Sequence, residues 1–227
     1  NSLVLNSTGY QNTANGYSAL NSNSTGRDNT AIGANALKSN TTGIGNAACG
    51  AGALTNNTTG QLNTANGLAA LLYNTTGNYN TASGYVALYR NTSGTENTAF
   101  GTGTLYNNVS GSKATAVGNG AMQYANNTST PFDNYNVAVG FEALSGSSTP
   151  SSNTGNSNTS IGYRTLKNNT SGANNTALGN LALTLNSSGG QNTAVGDVTL
   201  NKNTTGTGNT AVGYASLAEN TSGAFNS

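Results

Sequence analysis

The 227-residue chain has no histidine and no tryptophan, one cysteine, one methionine and two prolines, and only 6% of its residues are charged. Each shortage excludes something. Without histidine there is no imidazole to serve as general base or to activate a nucleophile. One cysteine and no histidine leave no Cys/His set for zinc, and no G-G-x-G-x-D repeat is present for calcium. Cys49 has no partner for an internal disulfide; standing where other repeats carry Ile, Val or Asn, it reads as a small core or ladder residue. The six acids are Asp28, Glu96, Asp133, Glu142, Asp197 and Glu219. Only Asp28 and Glu96 share a repeat register, and four repeats separate them, so a glycosidase-type carboxylate pair is not expected. The seven cations are scattered and the net charge is +1, which gives no electrostatic footprint for nucleic acid. No apolar run approaches the ~20 residues needed to span a bilayer. The chain starts at Asn1 without a signal-peptide pattern and reads as a mature form or an internal segment. These absences argue against an enzyme, a cofactor, a metal, a nucleic-acid partner and insertion into a membrane.

Asparagine and glycine fill the space, with 41 Asn and 31 Gly. Such a polar, Gly-rich composition would ordinarily suggest disorder. A strict period says otherwise. The motif N-T-A-x-G places its glycine at Gly16, Gly33, Gly50, Gly67, Gly84, Gly101, Gly118, Gly140, Gly162, Gly179, Gly196 and Gly213. The step is 17 residues except for two steps of 22, either side of Gly140. A fixed period in this range marks a repeat architecture. The unit is N-T-A-x-G-x-x-A-L-x-x-N-T-T/S-G-x-x, and twelve copies occupy residues 1–227 as a single domain.

Numbering the unit from the Asn of N-T-A-x-G, the third register is Ala in eleven copies and Ser160 in the other, and the ninth is Leu in eleven and Met122 in the other. One small and one large apolar residue per unit suits a narrow core built by stacking neighbours. Seventeen residues with two Gly-bearing turns cannot hold two helices, which leaves short extended segments, T-A-x-G and x-A-L-x. The expected fold is all-β: a β-solenoid of about twelve 17-residue coils. At the strand spacing of roughly 4.8 Å, it makes a rod on the order of 60 Å long. The fourth register drifts from mixed (Asn15, Ile32, Cys49, Asn66, Ser83) to apolar (Val117, Val139, Ile161, Leu178, Val195, Val212). Alternation puts it on the face opposite the Ala, where an apolar row suggests self-association.

The turn N-T-T/S-G combines a glycine for positive φ with an Asn able to bond its own backbone; stacked in register, identical Asn side chains can form a ladder. The same spelling supplies glycosylation acceptors at Asn6, Asn23, Asn40, Asn57, Asn74, Asn91, Asn108, Asn127, Asn169, Asn186, Asn203 and Asn220. A glycan ridge is therefore a second expectation beside the ladder. The two long steps come from five-residue insertions around 125–135 and 146–157, which hold the only prolines, Pro131 and Pro150. Insertions in solenoids form loops on one edge, and Phe132 and Tyr135 make the first a candidate contact site.

The units N-T-A-I-G-A-N-A-L (Asn29–Leu37) and N-T-A-V-G-Y-A-S-L (Asn209–Leu217) resemble the β-roll repeats of trimeric autotransporter adhesin heads, and the spelling is similar to repeats of phage tail-fibre-like surface proteins. The adhesin repeats are shorter and favour Val where this chain has Thr. The resemblance implies an extracellular, cell-surface or virion-surface location and a trimer; exposed strand edges at the ends of the stack suggest head-to-tail self-association instead. The functional expectation is a structural fibre, filament or stalk segment. An adhesin or receptor-binding segment is the alternative, touching surface glycans or a receptor through the insertion loops and through Tyr17, Tyr85, Phe141, Tyr163 and Tyr214. An ice-binding face is a third reading. It would most simply need two Thr at i and i+2 of each strand, and the sequence writes only one.

Overall fold

A computed structural model describes residues 2–227 as one β-solenoid. Twelve three-residue strands, from Thr13–Asn15 to Thr210–Val212, pair in chain order into one parallel sheet. The register is strict: Thr13 faces Thr30, Ala14 faces Ala31, and Asn15 faces Ile32. The 22-residue steps do not break it, since Ala138 still pairs with Ala116 on one side and Ser160 on the other. One chain closes every coil and fills its own core.

The expected second strand, x-A-L-x, is not extended. Ala and Leu are adjacent, yet both are fully buried, as in Ala36–Leu37 and Ala70–Leu71. Neighbours on a strand point to opposite faces, so the segment must turn to bury both. It does so by placing the Leu itself in the left-handed region, with φ near +50° at Leu37, Leu54, Leu71 and Leu88. A left-handed L-residue costs about 1–2 kcal/mol. Burying a leucine side chain returns about 1.5–3 kcal/mol, which offsets it. The seventh and seventeenth registers are left-handed as well, as at Asn35 (φ 58°) and Glu96 (φ 58°).

Glycine is indispensable at two places. At Gly67 φ is +133°, and a Cβ would lie 2.8 Å from the carbonyl carbon of Gly84 in the next coil. At Gly60 a Cβ would strike the Oδ1 of Asn57 and lie 2.5 Å from the Gly77 carbonyl oxygen. Both clashes are with the neighbouring coil or with the side chain that joins it, so neither can relax without parting the stack.

Two ladders of buried asparagine run along the interior. In the first, Asn57 Nδ2 donates to Asn40 Oδ1 at 2.8 Å and to the Gly60 carbonyl at 2.9 Å, while Asn74 donates to Asn57 Oδ1. In the second, Asn63 donates from its side chain and its backbone to Asn46 Oδ1, and from its side chain to the Gly77 carbonyl. Buried polar groups are thus satisfied across coils, where an apolar layer alone could not satisfy them. Where Thr replaces Ala at the eighth register, the hydroxyl finds partners too: Thr104 bonds the carbonyls of Gly101 and Gly118.

Both ladders break in the same region. Ala125 takes the Asn position after Asn108, and Ala114 takes it after Asn97. Asn108 Oδ1 is left as the only buried side-chain polar atom without a partner among the described residues. Both insertions lie beside this break. The first adds a short pairing of Phe132–Asp133 with Gly111–Ser112, and the second a 3-10 turn at Pro150–Ser152. A cavity of about 20 Å³ remains there, lined in part by Ala125, Leu144 and Asn169. That is room for one water.

Substitution in the regular coils should therefore be costly. Asn57→Ala strips partners from Asn40 Oδ1, Asn74 Nδ2 and the Gly60 carbonyl, and is expected to cost about 3 kcal/mol. Gly67→Ala is expected to cost a similar ~3 kcal/mol through the backbone clash. Thermal melting by circular dichroism should fall by roughly 10 °C for each, while exposed Lys38→Ala stays close to the parent.

Candidate interaction surfaces

The sequence pointed to several surfaces, and the fold sorts them. The fourth register does lie on the outer face of the sheet. Ile32 is 43% exposed and Val212 68%. Thr of the second register forms the other outward row, so this broad face carries Thr beside a mixed row that turns apolar after Phe100. No coil pairs Thr with Thr there. Cys49 sits in the outer row between Ile32 and Asn66 and is exposed. Of its two readings, core or ladder residue, the core is corrected: the alternation that buries Ala48 must turn Cys49 outward.

The sequons are mostly interior. Asn23, Asn40, Asn57, Asn74, Asn91, Asn108, Asn186 and Asn203 are fully buried and Asn169 nearly so. The amide nitrogen that would carry a sugar is the one that holds the ladder; Asn40, Asn91 and Asn203 each give both hydrogens to internal acceptors. A continuous glycan ridge on these nitrogens is therefore incompatible with the folded coils. Asn220 is half-buried and bonded in the same way, and Asn6 and Asn127 are exposed.

The insertion loop is largely occupied with itself. The Phe132 ring covers Gly111, whose Cβ position it would meet at 2.7 Å. Tyr135 is exposed, but its hydroxyl donates to Asp133 Oδ2 at 2.7 Å, and Lys113 Nζ reaches the same oxygen at 2.8 Å. The Lys113 ammonium and the Tyr135 hydroxyl hold the Asp133 carboxyl below its usual range. The second insertion is fastened by Asn153, which bonds both the backbone N–H and the carbonyl of Ser147.

A second charged cluster stands two coils further along. Glu142 Oε2 accepts from Arg164 Nε at 2.7 Å and from Lys167 Nζ at 2.8 Å. The Arg164 guanidinium lies over Phe141 and Tyr163, whose rings stack at 5.6 Å between centroids. The Lys167 hydrogen bond is the main cause that lowers the Glu142 carboxyl, with partial burial opposing and Arg164 assisting.

The most developed surface was singled out from the sequence only at Tyr85. On the face beside the Leu turn, Tyr73, Tyr89 and Tyr106 meet across three consecutive coils. Tyr89 and Tyr106 stack at 5.0 Å with planes 6° apart, and Tyr73 meets Tyr89 edge-on at 5.1 Å. Tyr85 stands across from them, half exposed. Between lies an open groove of about 540 Å³, with Gly103 and Gly120 in its floor. The signal was available: Tyr89 and Tyr106 share the tenth register in adjacent coils, and the floor register turns to glycine beside them.

Among the described residues no three His, Cys, Asp or Glu cluster as metal ligands, and no helix is long and apolar enough to cross a membrane. The class is set by the fold, a parallel β-solenoid of tandem 17-residue coils. The chain matches no protein-family model, no curated protein and no solved structure.

The Glu142 cluster gives a pH dependence. Its folded carboxyl is lowered relative to the unfolded chain, so the stabilisation is present at neutral pH and is lost as pH falls through the carboxylate range. The groups are partly exposed, which limits the effect to about 1 kcal/mol. Lowering pH from 6 to 3 should reduce the melting temperature, and Glu142→Gln should remove about 2–4 °C of that pH-dependent drop.

Proposed function

We propose that the chain is a structural rod: a segment of an extracellular fibre, filament or stalk, with no catalytic role. One observation carries this reading. Nearly all the buried groups serve contacts between successive coils, the Leu and Ala of the core and the two Asn ladders alike. The product of such a sequence is length and stiffness. Sparse charge and the absence of His leave little in the chain that responds to ordinary changes of pH.

Self-association end to end follows the same logic. Among the described residues the sheet ends at Thr210–Val212, and Tyr214 and Phe225 beyond it are the most exposed large apolar groups. A further coil, from the same chain or another copy, would extend the sheet and both ladders. A surface-attachment role is a second reading, favoured by the outward tyrosines at Tyr85, Tyr89 and Tyr106.

Negative-stain and cryo-electron microscopy across a wide concentration range, with sedimentation velocity on the same samples, test the proposal. Continuous fibres with an axial repeat of roughly 4.8 Å are expected. Discrete rods of about 60 Å that stay monomeric at every concentration would overturn the self-association.

A further inference from the structure

The groove beside the tyrosines is built by residues at the variable registers of the repeat. Its floor is the seventh register. Elsewhere that register carries a side chain, as in Ser18, Asn35, Val86, Glu142, Arg164 and Leu181, except at Gly52, where the Leu72 side chain comes within 3.3 Å of the Cβ position. In two consecutive coils it is Gly103 and Gly120. A Cβ on Gly103 would meet nothing within 4 Å, and one on Gly120 would meet only the Glu142 and Gln123 side chains at 3.5 and 3.6 Å. The floor is thus lowered where no packing demands it. The sixth register forms one wall, with Leu68, Tyr85, Thr102 and Asn119, and the tenth forms the other, with Tyr89, Tyr106 and Gln123. Glu142, at the next seventh-register position, lies outside this lining.

The lining selects a chemical class. It holds no Asp, Glu, Lys or Arg, which disfavours phosphate, sulfate and acidic sugars as ligands. Three tyrosines offer flat apolar faces with polar rims. Asn119 and Gln123 end in amides that both donate and accept, which matches hydroxyl groups that do the same. Among the described residues neither amide takes an internal hydrogen-bond partner; the Gln123 carbonyl of the backbone, by contrast, is engaged by Asn107. The groove lies away from any open strand edge, so it lacks the row of free backbone groups by which sheets capture extended peptides. At about 540 Å³ it is in the range of specific ligand sites, and it runs across four coils, roughly 14 Å along the rod.

We infer that the groove floored by Gly103 and Gly120 binds a neutral oligosaccharide, with sugar rings laid on Tyr85 and on the Tyr89–Tyr106 wall and hydroxyls bonded to Asn119 and Gln123. The site stands whether or not the rod forms fibres. It would bring a chain of neutral sugars to lie parallel to the rod axis.

The test is isothermal titration of the intact chain with cello-, manno- and chito-oligosaccharides, with a sialylated and a sulfated glycan as controls. Two variants accompany it. Gly103→Asn fills the floor with a residue that already occupies the same left-handed register at Asn35 (φ 58°), so folding should be retained. Tyr85→Ala removes an exposed ring. At least one neutral series is expected to bind with a micromolar to millimolar Kd, and each variant should weaken it about tenfold or more with unchanged melting. The charged controls should not bind. The inference fails if no neutral oligosaccharide binds at millimolar concentration, or if Gly103→Asn leaves binding intact. It fails equally if a proline-rich or aromatic peptide, and no sugar, is the ligand that both variants displace. Fibre formation by the variants, followed by microscopy, should match the parent, so a negative result here leaves the rod proposal where it stood.

Discussion

Successive coils lie one strand spacing apart, and every register answers to that distance. It is the reason for the alanines facing Ala31 and Ala48 across the sheet. It is the reason for Gly67, whose missing Cβ gives room to the Gly84 backbone. It is also what brings one Asn amide within hydrogen-bond reach of the same Asn in the next coil, as Asn57 is of Asn40. A larger spacing would lose both ladders at once. A smaller one is forbidden by backbone contact at the glycines. The repeat is a set of residues that all tolerate, or exploit, one length.

This constraint explains how so polar a chain has an ordered interior. Each coil adds one Leu and one or two Ala to the core, too little to hold a globule. The ladders add buried hydrogen bonds whose partners are supplied by the neighbouring coils. Buried amides worth little singly become cooperative when each polarises the next. Strain at the left-handed leucines is tolerated because turning there seats Ala and Leu side by side in the interior.

Much of this was written in the sequence. The 17-residue step, the Ala and Leu registers, the ladder asparagines and the outward fourth register are properties of period and alternation, which a single chain displays. Two features were harder to read. The x-A-L-x segment looks like a strand because its residues are apolar and short of turn markers; φ near +50° at Leu71 is conformationally unusual and has no compositional sign. The adjacent Ala and Leu in every coil were the clue, since a strand cannot bury both. Sequons at Asn57 and Asn74 looked like surface acceptors because the motif specifies bonding partners and says nothing of depth. The tyrosine groove was hidden for a different reason. Apart from Tyr85 it arises at the variable registers, at Gly103, Gly120 and Gln123, and a search for what repeats passes over what does not.

The first asparagine ladder also has a direction of its own. In each Asn–Asn rung of the first ladder, from Asn23 to Asn220, the Nδ2 of the later coil points to the Oδ1 of the earlier one. The amide dipoles therefore add along the axis, as peptide dipoles do in a helix, with partial positive charge toward the first coil and partial negative toward the last. The gap after Asn108 divides this array into two shorter dipoles in series, each with its own termini. Each stretch of the ladder thus has a donor-facing end and an acceptor-facing end, although the sequence between them is nearly the same in every coil.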